Sequence, residues 1–113
     1  MKIKSKKWIE RENKKEWRKK VMERDNGIDQ MTGEDLKSSP HNCHLHHVLD
    51  KKNFPELRFD LMNTLTLSYP NHKIGKYAPH MNALYFCNWF KNKFPDRYEY
   101  LINYLKSRGY EIK

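Results

Sequence analysis

The chain has 113 residues and a formal net charge of +9, with 37% hydrophobic and 13% aromatic residues. This length accommodates one small domain, and the aromatic content favours a folded domain over a disordered chain. The excess of Lys and Arg indicates a polyanionic partner, most simply nucleic acid. No apolar run approaches the roughly 18 residues of a membrane span, and the lysine-rich start lacks the apolar stretch of a signal peptide. We therefore expect a cytoplasmic protein without a membrane partner.

The first half of the chain predicts a helix, a turn region and two strands. The first helix lacks Gly and Pro, and its narrow apolar stripe would comprise Trp17, Val21 and Met22. Asn-Gly, Thr-Gly and Ser-Pro pairs mark the turns that follow it. The predicted elements are a helix over residues 5–25, a strand over 43–49, a loop over 51–60 and a strand over 61–68.

The second half predicts two helices after a turn, with a short helical segment opening at Pro70. The first helix spans residues 80–94, the second begins at Pro95, and Gly109 is a suitable stop. The apolar faces comprise Phe86, Trp89, Phe90 and Phe94 on the first helix, and Tyr98, Leu101, Ile102 and Leu105 on the second.

Four histidines and a cysteine lie within the seven residues 41–47. They suit metal ligands, a general base or polar residues of a loop. Successive side chains of a strand point to opposite faces, so His46 and His47 suit two different roles, one on a metal and one on a water beside it. His72, just after the second predicted strand, is the best-placed second ligand. Asn63 lies between them and could position an imidazole by hydrogen bonding.

The order His46-His47, Asn63, His72 resembles the HNH, or ββα-metal, endonuclease motif. The flanking segments also resemble that family. The segment WRKKVMERDNGIDQMTG is similar to the helix and turn that lead into many HNH domains, and LHHV is similar to the first strand. LMNTLTL is similar to the second strand, and YPNHK is similar to the turn into the metal-binding helix. LRFDLMN, the aromatic helix and PDRYEYLINYL are further similar to phage recombination nucleases of the lambda Rap (NinG-like) type.

The resemblance implies an α+β fold with a small ββα-metal domain, an N-terminal helix and a C-terminal helical pair. The single domain would span residues 1–113. Its parts would be a basic helix over 1–25, a ββα-metal core over 44–78 and C-terminal helices over 79–109.

The sequence departs from the family at the positions of a structural zinc site. Many HNH domains carry two C-x-x-C pairs, which here would fall at Asp29 and Thr32 and at Ser68 and Asn71. No cysteine stands at these four positions, so no structural zinc is expected. Side-chain hydrogen bonds and packing would hold the turn instead, and Asp29 and Thr32 are residue types that cap turns.

The resemblance also implies a mechanism. His46 and His72 would bind one divalent metal ion, His47 would take a proton from the attacking water, and Asn63 would orient His47. Imidazole ligands suit Mn, Ni or Zn better than Mg, although phosphate and water oxygens still permit Mg. Products would carry a 5′ phosphate and a 3′ hydroxyl.

Further residues are candidates for supporting roles. His44 shares the strand face of His46, so it is an additional ligand, a phosphate contact or a polar strand residue. His80 lies eight residues after His72, but Pro79 argues against the unbroken helix that would bring the two together.

Basic residues near the site suit either DNA phosphates or a solvated surface; they are Arg58, Lys73 and Lys76. The basic N-terminal segment would add sequence-independent affinity for DNA. Cys43 and Cys87 are expected as packed thiols.

The resemblance thus implies a metal-dependent DNA endonuclease, phage-encoded and acting on duplex or branched DNA during recombination or processing in the host cytoplasm. The alternative is a catalytically silent, HNH-derived module that binds DNA or another protein. One site per chain implies nicking, or a homodimer for a symmetric double-strand cut.

Overall fold

A computed structural model describes residues 5–112. The chain divides into two compact units, Met1–Ser68 and Tyr69–Lys113, called here the N-terminal and C-terminal units. The first holds one α-helix and a two-stranded antiparallel sheet, and the second holds two α-helices, which confirms a small α+β protein. None of the described helices is long and apolar enough to cross a membrane. The lysines at positions 2 and 4, which the sequence assigns to DNA affinity, lie outside the described residues.

Helix α1 (Lys6–Asp25) begins as the sequence predicts. The Ser5 hydroxyl accepts a hydrogen bond from the Trp8 N–H at 3.1 Å and caps the first turn. Trp17 and Val21 are buried, but the predicted third apolar residue, Met22, is 44% exposed. Met22 follows Val21 by one position and therefore lies about 100° further round the helix, away from the buried face.

The sheet pairs β1 (Cys43–His47) with β2 (Thr64–Ser68), and every residue of β2 is buried. The sequence predicts that the second strand begins at Leu61, and this boundary is wrong. The Asp60 carboxylate accepts the Met62 N–H at 2.9 Å and caps a 3₁₀ turn over Leu61–Asn63. Asn63 consequently precedes the strand instead of lying within it.

Polar contacts from α1 hold β2 in place. The Trp17 indole N–H donates to the Thr64 hydroxyl at 3.0 Å. The Asp25 carboxylate, at the end of α1, accepts the Thr66 N–H at 3.1 Å and the Thr66 hydroxyl at 3.0 Å. Because these groups are buried, their hydrogen bonds are needed to offset the loss of water.

The turn after α1 is organised by Asp29, which is fully buried. One carboxylate oxygen accepts the N–H groups of Met31 and Thr32 at 2.8 and 2.9 Å, and the other accepts the Ser68 N–H at 2.8 Å. The prediction that side-chain hydrogen bonds hold this turn is confirmed. Asp29, Thr32 and Ser68 are three of the four positions at which the HNH resemblance would place zinc-binding cysteines.

The C-terminal unit contains a wide helical turn over Pro70–Ile74, α2 (Ala83–Lys93) and α3 (Pro95–Ser107). Helix α2 begins later than predicted because Asn82 caps it, accepting the Tyr85 N–H at 3.0 Å. Of the eight residues predicted for the two apolar faces, three are buried: Phe86, Phe90 and Leu101. The other five are half-buried: Trp89, Phe94, Tyr98, Ile102 and Leu105.

Gly109 ends the last helix as predicted. It has a φ of 92°, in the left-handed region that glycine tolerates. Its N–H bonds to the Lys106 carbonyl at 3.0 Å, and the Tyr110 N–H bonds to the Leu105 carbonyl at 3.1 Å. This paired arrangement satisfies the carbonyl groups at the helix end.

Candidate metal and catalytic site

Two histidines of the C-terminal unit lie close enough to bind one metal ion. His72, in the Pro70–Ile74 turn, is 8% exposed, and His80 is exposed. Of the two ligands predicted from the sequence, His72 belongs to this pair. The other, His46, lies on β1 in the N-terminal unit and is also 8% exposed.

The pair within the C-terminal unit is especially close. The Nε2 atoms of His72 and His80 are 3.0 Å apart, and the two rings meet edge to face. Two imidazole nitrogens facing each other can share only one proton. A metal ion bound to both nitrogens would take the place of that proton. Metal–nitrogen bonds of about 2.0–2.1 Å separate tetrahedral ligand atoms by about 3.4 Å, so the two rings would need to move apart by only about 0.4 Å to hold such an ion.

The electrostatics favour the ligand form of His80. Partial burial, and then the charge of Lys73, lower the pKa of His80 below its ordinary value. The neutral ring is the form that binds a metal ion, because a protonated nitrogen has no lone pair to donate.

The route by which His80 reaches His72 differs from the one considered from the sequence. Helical continuity would have been needed, and Pro79 argues against it. Instead, residues 75–82 fold as successive turns: the Gly75 N–H bonds to the Pro70 carbonyl at 2.7 Å and the Ala78 N–H to the Gly75 carbonyl at 2.9 Å. Pro79 is therefore no obstacle to the contact between the histidines.

His47 lies in a different environment within the N-terminal unit. Its ring stacks on the Trp17 indole, with centroids 5.3 Å apart and planes 14° from parallel. Its Nε2 lies 2.8 Å from the Arg58 carbonyl oxygen. Because a carbonyl only accepts, we assign the proton of the neutral ring to Nε2, which leaves the lone pair on Nδ1.

The surroundings of His47 also favour its neutral form. Burial is the largest effect and lowers the pKa of His47, the hydrogen bond to Arg58 partly opposes it, and the charges of Lys51 and Lys14 lower it further. A neutral imidazole with one fixed N–H can accept a proton at its other nitrogen, as a general base requires.

The Asn63 side chain forms hydrogen bonds with main-chain groups near His47 and not with the imidazole itself. Its side-chain oxygen accepts the Leu49 N–H at 2.7 Å, and its amide group donates to the carbonyls of Leu49 and Leu57 at 2.9 and 3.3 Å. The sequence suggests a hydrogen bond from Asn63 to His47. The structure instead directs the Asn63 amide to the main chain of Leu49 and Leu57, and Leu57 immediately precedes Arg58, whose carbonyl contacts His47.

His44 and the two cysteines have ordinary strand and helix positions. His44 is half-buried opposite Leu67 and shares the face of His46. Cys43 is partly buried, and burial followed by the charge of Asp25 raises the pKa of its thiol. Cys87 is exposed on α2, so the prediction that it is packed is wrong. It follows the buried Phe86 by one residue and so faces away from the core.

The basic residues predicted to meet DNA lie at the surface. Arg58 bonds to the Glu10 carboxylate at 2.5 Å and lies over the Phe59 ring. Lys73 and Lys76 are exposed, and Lys76 lies 4.9 Å from the centre of the Tyr77 ring.

Sequence reasoning missed the groups that surround His47. Trp17 was assigned to the core alone, and a main-chain carbonyl gives no signal in a sequence. The basic residues Lys7, Arg11 and Lys14 continue the Trp17 face of α1 at helical spacing, and this pattern would have indicated that they share one surface.

Comparison with known proteins supplies no relative: no family model, curated protein or solved structure matches this chain. The geometry of its own residues therefore carries the functional interpretation.

Proposed function

We propose that this protein is a metal-dependent DNA endonuclease of the HNH type, phage-encoded and acting in DNA recombination or processing. The observation that carries the proposal is the pair of ring nitrogens in the C-terminal unit, the Nε2 atoms of His72 and His80, which lie 3.0 Å apart. Its second support is His47 on β1, a neutral imidazole with a fixed tautomer. The sheet and the turn that holds His72 would be the counterpart of the ββα core.

His72 and His80 would hold one divalent ion, and the resemblance to HNH nucleases implies His46 as a further ligand. When bound, such an ion supplies Lewis-acid stabilisation of the charge that develops on a scissile phosphate and on the departing oxygen. Imidazole nitrogen ligands favour Zn, Ni or Mn over Mg.

The chain's own groups would perform the proton transfer. His47 takes a proton from the attacking water at Nδ1, while the Arg58 carbonyl holds Nε2 and stabilises the imidazolium that forms. Trp17 fixes the plane of the ring by stacking. Asn63 is a positioning residue, because it holds the loop that presents the Arg58 carbonyl. Arg58, Lys73 and Lys76 would contact DNA phosphates.

Cleavage of supercoiled plasmid in Mg, Mn, Ni or Zn tests the proposal. We expect nicked or linear product with at least one ion and none in EDTA. His47→Ala should lower the rate about 10²–10⁴-fold, the usual contribution of a general base. His41→Ala, an exposed histidine outside the pair of His72 and His80, is the matched control and should cleave like wild type.

Metal titration separates the ligands from the base. His72→Ala and His80→Ala should each weaken metal binding at least tenfold, while His47→Ala should leave it unchanged. Cleavage that survives both His47→Ala and His72→Ala would overturn the mechanism. DNA binding without cleavage of plasmid or branched DNA in any of the four ions would favour the alternative, a DNA-binding module that lacks catalysis.

A further inference from the structure

A cavity of about 380 Å³ opens within the N-terminal unit, between the first half of α1 and residues 47–59. Its basic lining residues are Lys7, Arg11, Lys14, Lys51 and Arg58. One carboxylate, Glu10, and three rings, those of Trp17, His47 and Phe59, complete the wall. The cavity is called here the basic cleft.

The basic cleft is built by the same face of α1 that packs on the sheet. Trp17 and Val21 form the buried part of this face. Towards the N-terminus the face continues with Lys14, Arg11 and Lys7 at intervals of three and four residues. On a helix that packs along its whole length, these positions would be apolar. In α1 they are basic on the N-terminal side of Trp17, which indicates that this part of the face binds an anion instead of packing in the core.

We propose that the basic cleft binds the sugar-phosphate backbone of one DNA strand and so positions it beside His47. This inference rests on the proposed function, since it assigns the cleft to the strand on which His47 acts. Five cations face a single carboxylate there, and their mutual repulsion is relieved when a polyanion binds.

The spread of the cations favours a strand over a small anion. Lys7 and Lys14 are seven residues apart, which is about 10 Å along a helix. A single phosphate cannot reach both ends of such a row. One DNA strand advances about 3.4 Å per nucleotide along its axis, so about three successive phosphates cover the same length.

Glu10 acts as an internal competitor in the free protein. Its carboxylate pairs with Arg58 at 2.5 Å and so occupies one of the five donors of that guanidinium. A DNA phosphate would displace this carboxylate, and the Arg58 guanidinium would then bind the strand. Removing the negative charge of Glu10 should therefore strengthen DNA binding.

Binding of a fluorescent 20-base-pair duplex, measured in EDTA over a salt series, tests the proposal without cleavage. Lys7→Ala with Lys14→Ala should weaken binding several-fold at low salt. It should also lower the slope of log affinity against log salt by about 2, since each lysine contacts one phosphate. Glu10→Gln should tighten binding several-fold.

Matched controls lie elsewhere on the same helix. Lys15→Ala with Lys20→Ala removes the same charge, and Glu12→Gln removes the same carboxylate; neither side-chain set lines the cleft. We expect the controls to change affinity and slope much less than their counterparts.

Equal effects of cleft and control variants would overturn the proposal. So would an unchanged DNA affinity in Glu10→Gln, or binding of inorganic phosphate in place of DNA. Cleft-specific binding without nuclease activity would overturn the proposed function alone, and cleavage unaffected by the cleft variants would overturn the cleft alone.

Discussion

At the scale of single residues, the buried amide of Asn63 determines the loop beside His47. Asn63 is fully buried and makes three hydrogen bonds to main-chain groups of Leu49 and Leu57. Only a side chain with both a donor and an acceptor satisfies the Leu49 N–H and the two carbonyls together. The Arg58 carbonyl follows Leu57 directly, so this amide also fixes the partner of the imidazole.

Replacing Asn63 by Ala should destabilise the protein by about 3 kcal/mol, because buried main-chain groups lose their partners at roughly 1–3 kcal/mol each. The free energy of unfolding in urea measures the change. Asn53→Ala is the control in the same loop, since Asn53 is exposed and bonds to Asp50 at the surface. A loss below about 1 kcal/mol for Asn63→Ala would contradict the role assigned to the amide.

At the scale of elements, Asp29 links the turn after α1 to the end of β2. Its two oxygens bond to three main-chain N–H groups, at Met31, Thr32 and Ser68. The zinc-binding cysteines that the HNH resemblance would place at Asp29, Thr32 and Ser68 would join the same two segments. The Asp29 carboxylate therefore connects the same two segments through hydrogen bonds.

The isosteric change Asp29→Asn tests this link. An amide has one oxygen and one NH₂ group, so the NH₂ group would face a main-chain N–H and leave a buried donor unpaired. We expect a loss of about 2–3 kcal/mol in the free energy of unfolding, since hydrogen bonds to a charged acceptor contribute about 1.5–3 kcal/mol. Asp35→Asn, exposed in the same turn, should change stability by less than about 0.5 kcal/mol. Equal effects of the two changes would refute the assignment.

At the scale of the whole molecule, metal binding should increase the free energy of unfolding. An ion that binds only the folded chain stabilises it by about 2.7 kcal/mol at one hundred times its dissociation constant. For a protein of this size the midpoint of thermal unfolding should rise by roughly 10 °C.

Thermal unfolding of wild type with Zn or Ni, and again after EDTA, measures this effect. His72→Ala should abolish the metal-dependent rise, whereas His41→Ala should retain it. A rise of equal size in His72→Ala would show that the ion binds elsewhere.

The sequence by itself determined the helices, the strands and most of the candidate ligands. Helical periodicity gave α1 and the apolar faces of α2 and α3, because buried positions must recur with the turn of the helix. The order of His46, His47 and His72 along the chain was enough to propose two ligands and a base. The starts of β2 and α2 were predicted too early. Asp60 caps a 3₁₀ turn before β2 and Asn82 caps α2, and propensity alone reveals neither cap.

Only the tertiary structure decided which groups meet across long separations in the chain. Turns over residues 75–82 bring His80 to His72, and folding places Trp17 against His47, thirty residues further along the chain. The Arg58 carbonyl is a main-chain group and carries no residue-specific signal. Asn63 was identifiable by its type, but only the structure shows that its amide bonds to the main chain of Leu49 and Leu57. Periodicity reports which face of an element is buried, but contacts between elements depend on loop conformation, which a single sequence encodes only through local turn residues.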